Sequence, residues 1–337
     1  MLLQFLDTQA RHFWHREDAV KEQPATWRVA QNQGPTAAKL FVVRRFFILL
    51  LLLPWVAPVK SQLATGNLQP VSRAGDTLPP AQAQALVTRA LANELRAAQD
   101  TSHPLRYQLH KTGPRLTTTK EIYETKDGDV ARLVAINDQP LSAADEQKEE
   151  ARLDALISDP GRQRRRKQAE DTDAGRALKV LRALPSAFVY QYVGSDAGPQ
   201  GNVEKFTFRP DPNFFPQDLE TQVLTEMAGE IWIDGAQERV LRLEGHLQQN
   251  VDFGWGILGR LNKGGWIVIE QADVGPDMGP NMGIDQWRIV RFQMQMSGRV
   301  VFKNRNFDTT EEESRFAPLP VGLGFQKAIA MMRASRD

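Results

Sequence analysis

The chain has 337 residues, of which 41% are hydrophobic and 25% are charged, which is typical of a globular protein and excludes a chain that is disordered throughout. Its 42 basic and 41 acidic residues nearly cancel, so no overall charge indicates nucleic acid as a partner. Cysteine is absent, which excludes disulfides, thiolate chemistry, iron–sulfur clusters, cysteine-ligated zinc and a lipid-modified N-terminal cysteine.

The first predicted element is an export leader. An uncharged apolar run over residues 46–59 follows Arg44 and Arg45, and a basic start before a short apolar segment is the layout of a signal peptide. We predict a signal peptide over residues 40–61, export to the periplasm by the general secretory route, and membrane contact only through this segment. The run is shorter than the roughly 20 residues that span a bilayer; a membrane anchor and a twin-arginine signal are the alternatives.

The segments on either side of the leader have no regular pattern. We expect residues 1–39 either to be untranslated, because the start codon is misassigned, or to be disordered. Residues 62–80 are rich in Pro, Gly, Ser and Thr and are expected to be a flexible lead-in. Residues 81–332 are expected to form a single domain.

The domain begins with one predicted helix and three predicted strands. Apolar residues recur at helical spacing over residues 81–98. The period then changes to two over residues 105–111, 116–125 and 129–136, and the pair Asp127-Gly128 between the last two is a strong hairpin signal. Three antiparallel strands are therefore predicted.

Two more helices are predicted over residues 144–157 and 162–184. Ser142 has the position of an N-cap residue, and Pro185 is expected to end the second helix. Basic residues between 162 and 167 could bind a phosphate or an anionic lipid head group. A solvated helix face balanced by nearby acidic residues is the simpler interpretation.

The rest of the chain is mostly strands, which predicts an α+β fold with a mainly antiparallel sheet covered on one face by helices. The last two strands are expected to turn at Ser297-Gly298, and a short apolar helix near the C-terminal end is expected to dock on the body. The predicted strands cover residues 187–193, 203–209, 229–234, 239–247, 265–271, 286–296 and 299–306.

No catalytic or metal-binding motif is present in the sequence. The histidines His103, His110 and His246 form no HxH or HExxH pattern, and GxSxG is absent. The glycine-rich residues 252–265 lack a phosphate-loop signature. We interpret them as a loop or helical turn with buried Trp255, either a lid over a cavity or part of the core. We therefore predict no catalytic residues, no metal and no cofactor, and we do not expect an enzyme.

Alternation along two strand stretches predicts which side chains form an apolar face. In residues 230–247 and 286–296, apolar side chains share one face while charged and amide side chains point the other way. Methionines adapt well to the shape of a pocket, although an apolar face is also what an ordinary core requires. The candidates for a cavity wall are Ile231, Ile233, Leu241, Leu243, Val290, Phe292, Met294, Met296 and Trp255.

The order of these elements resembles the periplasmic lipoprotein-carrier superfamily, which includes the outer-membrane lipoprotein-sorting proteins. The resemblance rests on the leader, the N-terminal helix, the long antiparallel sheet and the hairpin of GEIWID (residues 229–234) with RVLRLE (residues 239–244). It implies a curved, unclosed half-barrel whose concave face holds acyl chains and is covered by helices. Residues 144–184 would form the lid. The chain also resembles uncharacterised exported proteins of soil bacteria in residues 119–129 and 251–265.

From this resemblance we expect a non-catalytic periplasmic carrier of a lipid or lipoprotein acyl chain, with transient envelope partners. The alternative is an envelope interaction or scaffold protein that has the same sheet and a filled core. Cavity size distinguishes the two, since ligand sites enclose several hundred Å³.

Overall fold

A computed structural model describes residues 78–198, 201–254, 258–278, 286–300 and 303–335. The predicted leader, the residues before it and nearly all of the lead-in lie outside these ranges. Among the described residues, no helix combines the length and the hydropathy that a membrane span requires.

The described residues contain five α-helices. They also contain two 3-10 turns, at Val223–Glu226 and at Pro276–Met278. The helices are α1 (Pro80–Ala97), α2 (Ala143–Ser158), α3 (Pro160–Ala187), α4 (Leu219–Gln222) and α5 (Phe325–Ala334).

The strands form one antiparallel sheet in the order β4-β3-β2-β1-β13-β12-β11-β8-β7-β6-β5, with β9 and β10 added beside β12. The sheet is curved and does not close into a barrel, which confirms the predicted α+β fold. The strands are β1 (Leu105–Thr112), β2 (Thr117–Tyr123), β3 (Val130–Ile136), β4 (Gln139–Pro140), β5 (Phe188–Ala197), β6 (Asn202–Pro210), β7 (Met227–Asp234), β8 (Arg239–Leu247), β9 (Val251–Phe253), β10 (Gly259–Leu261), β11 (Trp266–Asp273), β12 (Trp287–Val300) and β13 (Lys303–Pro318).

The helix ends follow local chemistry, with one correction. Ser142 caps α2 as expected, accepting a hydrogen bond from the amide of Asp145 at 3.2 Å. Helix α3 does not stop at Pro185 but continues to Ala187. Carbonyl groups of its last turn find side-chain donors, because the Tyr190 hydroxyl donates to Leu184 at 3.0 Å and the Gln84 amide donates to Pro185 at 2.8 Å. These donors satisfy two of the carbonyl groups that the end of a helix leaves without an intrahelical partner.

The predicted turn at Ser297-Gly298 is wrong, because β12 continues through both residues to Val300. Strand β10 pairs with β12 at this point, and Gly298 lies opposite Leu261. A Cβ atom on Gly298 would overlap the carbonyl oxygen of Arg260. The glycine therefore permits a close approach of two strands and does not mark a turn.

Helices α1 and α3 cover the concave face of the sheet over β5 to β8 and β11 to β13, and this is the main core. A second core lies between β2, β3, α2 and α5. The buried Arg132 donates to the Met332 carbonyl at 3.0 Å and to Glu146 at 2.8 Å, which fastens α2 and α5 to β3. The implied lid over residues 144–184 is thus only partly right, since α2 covers the second core.

A matched pair of glycine substitutions tests this packing. A Cβ atom on Gly229 of β7 would overlap the backbone of Glu244 on β8, whereas nothing lies within 4 Å of one on Gly175 in α3. Gly229→Ala should lower the free energy of unfolding by about 1–3 kcal/mol, and Gly175→Ala should raise it by about 1 kcal/mol. Urea denaturation measures both, and equal midpoints for the two variants would contradict the described β7–β8 spacing.

Candidate functional site

A small apolar cavity lies in the main core between the helices and the concave face. Its volume is about 40 Å³. Three layers contribute the wall: α3, the segment of residues 219–226 (α4 and its 3-10 turn, hereafter the cover segment), and the sheet. All of the lining residues are apolar: Val180, Leu184, Val223, Leu224, Phe188, Phe208, Met227, Leu243, Leu261, Ile267, Met294, Met296 and Phe307.

The sheet builds its part of the wall from paired strand positions. Met294 pairs with Ile267 on β11, and Met296 pairs with Phe307 on β13. On β8, Gly245 leaves room for the side chain of Met227, because a Cβ atom there would lie 2.7 Å from the Met227 Sδ atom. Flexible thioether side chains thus fill the space that a glycine provides.

The nine predicted wall residues do not all reach the cavity. Leu243, Met294 and Met296 line it. Ile231, Ile233 and Phe292 are buried in the main core but lie outside the lining. Trp255 lies outside the described residues, so its predicted burial is untested.

Leu241 and Val290 are corrections, since both are only half-buried. A β-bulge in the β7–β8 ladder pairs Ile233 with Val240, and a second one in the β11–β12 ladder pairs Gln271 with Ile289. Each bulge inserts one residue and shifts the alternation. Val240 and Ile289 therefore occupy the buried positions that simple alternation gave to their neighbours.

The wall residues that sequence reasoning missed come from α3, the cover segment and six strands: Val180, Leu184, Val223, Leu224, Phe188, Phe208, Met227, Leu261, Ile267 and Phe307. Phe188 and Phe208 lie on strands that were predicted, so the alternation along β5 and β6 carried a usable signal. Val223 and Leu224 carried none, because the cover segment is too short to show a helical period.

The carboxylate of Glu94 fastens α1 to the sheet. It accepts hydrogen bonds from the Arg239 guanidinium at 2.8 and 3.0 Å, from the Val240 amide at 2.9 Å and from the Gln271 side chain at 3.1 Å. Glu94 is 5% exposed. A buried carboxylate with four donors satisfies both oxygens, so α1 is held firmly over β8 and β11.

Gln84 and Tyr190 join α1, α3 and β5 at the edge of the main core. The Gln84 side chain donates to the Pro185 carbonyl and accepts from the Tyr190 amide at 3.4 Å. Burial strongly raises the pKa of the Tyr190 phenol. Its hydroxyl therefore stays protonated and keeps donating to Leu184.

The cover segment is attached by weaker contacts. Arg176 lies 3.4 Å from Glu220, and Lys179 lies 3.2 Å from Asp218 at the start of α4. The Lys179 side chain is 51% exposed, and ion pairs of this exposure contribute at most about 1 kcal/mol. The ion pair between Lys179 and Asp218 is therefore weaker than the buried Glu94 network that holds α1.

Asp218 also caps α4, accepting from the Thr221 amide at 2.9 Å. Burial raises the pKa of Asp218, but hydrogen bonds from Thr221 and Lys179 outweigh it and place the pKa below its ordinary value of 3.8. The cap therefore contributes fully to the free energy of unfolding above about pH 3.8. This contribution is lost as the pH falls through the lowered pKa of Asp218.

The convex face of the sheet is charged and internally paired. Arg242 contacts Glu270, and Arg291 lies 3.3 Å from Glu270 and 3.0 Å from Glu312. Alternating charges in one cross-strand row neutralise one another. Within the described ranges, no group of three His, Asp or Glu residues could hold a metal ion.

Comparison with known proteins gives no family. No family model matches the chain, and no curated protein matches it. A solved outer membrane lipoprotein-sorting protein domain from Vibrio parahaemolyticus is similar at 12% identity and a TM-score of 0.25, covering 72% of this chain and 98% of its own. A DUF1329 family protein from Desulfovibrio piger ATCC 29098 is similar at 11% identity and a TM-score of 0.25, covering 74% and 96%.

The first of these structures has the kind of name that the sequence resemblance suggested, and the likeness to both is a weak structural one. Identities and TM-scores this low do not establish a shared function. The function must therefore be inferred from the residues of this chain.

The role of Glu94 is tested against a more exposed ion pair that joins the same helix, through Arg89, to Glu238 in the turn between β7 and β8. Glu94→Gln leaves the guanidinium of Arg239, 13% exposed, without its counter-charge and should lower the free energy of unfolding by about 3 kcal/mol. Glu238→Gln removes the partner of Arg89, whose side chain is 56% exposed, and should leave the unfolding midpoint nearly unchanged. Thermal unfolding followed by circular dichroism measures both; equal losses would show that the Glu94 network is not what holds α1.

Proposed function

We propose that the protein is a periplasmic, non-catalytic carrier that shields the acyl chain of a lipid or lipoprotein in the apolar cavity of the main core. The observation that carries this proposal is the cavity wall, in which every residue is apolar and three of them are methionines. Such a wall favours a hydrocarbon occupant. Among the described lining residues, none is an acid, a base or a nucleophile that could take part in a reaction.

The leader supports the location. A signal peptide over residues 40–61 would deliver the domain to the periplasm, where an acyl chain that crosses between two membranes needs protection from water. The paired charges of the convex face suit the solvent-facing side of such a carrier.

The present cavity volume sets a condition on this function. About 40 Å³ is room for a few water molecules, whereas ligand sites usually enclose about 300–1,000 Å³. An acyl chain can enter only if part of the cover moves away. The cover segment is the part of the wall that could meet this condition, because it contributes Val223 and Leu224 and its ion pairs to α3 are partly exposed.

The same small volume favours the second candidate function, an envelope interaction or scaffold protein whose core is simply filled. In that case the cavity is a minor packing defect, and the cover segment has no reason to move. The two candidates make opposite predictions about bound lipid.

Mass spectrometry of organic extracts distinguishes them. We expect acyl lipid from the protein recovered from the periplasm of an expressing host. Met296→Trp, which fills the cavity, should abolish it. Met331→Trp is the matched control, since Met331 packs beside the second core, and this variant should retain the lipid. Thermal unfolding checks that both variants are folded.

Two outcomes would contradict the proposal. Extracts of all three proteins at the background level would leave the filled-core function as the better account. Equal amounts of lipid from all three would show that the lipid binds somewhere other than this cavity.

A further inference from the structure

At one end of the sheet, strands β12 and β13 continue beyond their neighbours. Strand β12 pairs with β11 only as far as Gln295, and β13 pairs with β1 only from Thr310 onwards. Past these points β9 and β10 extend the ladder of β12. We call this projection the β tip and define it as residues 251–254, 258–263, 297–300 and 303–306.

The β tip concentrates positive charge. It contains five basic residues and one acidic residue, Asp252, a net charge of +4, whereas the whole chain has +1. The Arg260 guanidinium donates to both oxygens of Asp252, at 2.6 and 2.8 Å. The hydrogen bond from Arg260, together with the charges of Arg260 and Arg299, lowers the pKa of Asp252, which stays ionised. The basic residues are Arg260, Lys263, Arg299, Lys303 and Arg305.

These charges lie on both faces of the β tip. Arg299 pairs with Arg260, whose neighbour Leu261 lines the cavity, so both arginines are on the convex side. Lys303 and Arg305 lie four and two residues before Phe307 on β13 and therefore share its face. Because Phe307 lines the cavity, both are on the concave side. Cations on opposite faces do not converge on one small anion. They suit an extended anionic surface that meets the β tip end-on.

The β tip and the cavity lie at the same end of the sheet. Met296 and Phe307, which line the cavity, directly precede and follow the β tip in β12 and β13. The loop between β6 and α4 is at this end too, because β6 ends where β7 begins, opposite Leu247 at the end of β8. In this loop Phe215 is 76% exposed. Exposed aromatic rings are typical of proteins that contact a membrane interface, and Phe215 lies at the same end of the sheet as the cations of the β tip, four strands away from β12.

We propose that the β tip docks on the anionic surface of a lipid bilayer, with Phe215 entering the head-group region, so that the cavity end faces the membrane. Nucleic acid is the other extended polyanion, but it offers no apolar layer for Phe215, and the leader directs the chain away from it. The basic residues near the start of α3 are a poorer candidate, because two acidic residues, Asp159 and Asp171, lie within 4.0 Å of three of them, whereas the β tip contains a single acidic residue, Asp252. This inference goes beyond the proposed function and is tested without reference to any carried lipid.

Vesicle co-sedimentation tests it, with the chain as recovered from the periplasm of an expressing host. The vesicles contain phosphatidylcholine alone or phosphatidylcholine with phosphatidylglycerol. We expect binding only to the anionic vesicles, and binding that weakens as salt is added. The double variant Arg299→Gln/Lys303→Gln should bind at least tenfold more weakly. Phe215→Ser should weaken binding at every salt concentration.

The matched control is Arg162→Gln/Arg164→Gln, which removes two exposed positive charges from the start of α3. It should bind anionic vesicles as the unaltered chain does. Equal weakening by both double variants would overturn the proposal, since net charge and not the β tip would then control binding. Binding to duplex DNA as strong as binding to anionic vesicles at the same salt would also overturn it.

Failure here can be told apart from failure of the carrier function. A chain that yields acyl lipid on extraction but ignores anionic vesicles would remain a carrier whose β tip has no docking role. A chain that binds anionic vesicles through the β tip but yields no lipid would be a membrane-docking protein with a filled core.

Discussion

The structure depends on one constraint: a curved sheet with an apolar concave face does not close on itself, so other elements must keep water off that face. In a closed barrel the strands would do this alone. Here the sheet ends at β5 on one side and at β4 on the other, and helices α1 and α3 cover the face instead. Glu94 links α1 to two neighbouring strands, since Arg239 and Val240 lie on β8 and Gln271 on β11.

This arrangement divides the cover into parts of unequal strength. Helix α1 is held by a buried carboxylate, and the end of α3 by Gln84 and Tyr190. The cover segment is held by partly exposed ion pairs, by the burial of Val223 and Leu224, and by two hydrogen bonds to its backbone or side chains. The Gln222 side chain donates to the Asp252 carbonyl at 2.7 Å, and the Gln248 amide donates to the Glu226 carbonyl at 2.8 Å. A site for an acyl chain needs one movable wall, and local opening is expected where buried contacts are fewest. The proposed docking end would place that wall near the membrane, so that the ligand need not cross water.

Local patterns predicted most of the fold. The helical spacing of α1, the Ser142 cap of α2 and the Asp127-Gly128 turn are each specified by a few neighbouring residues. Positions that depend on distant partners were predicted less well. Leu241 and Val290 fit the alternation of their own strands, but bulges against β7 and β11 put Val240 and Ile289 in the core. The pair Ser297-Gly298 is typical of a turn, and only the presence of β10 shows that Gly298 allows close packing of two strands.

Hydrogen exchange of the native protein, read by mass spectrometry, tests most directly the claim that the cover segment is the movable wall. Peptides covering residues 217–227 should exchange through local opening far faster than peptides from α1 and β8, and an added fatty acid should slow them selectively. Exchange of residues 217–227 at the rate of global unfolding, unchanged by fatty acid, would contradict the account.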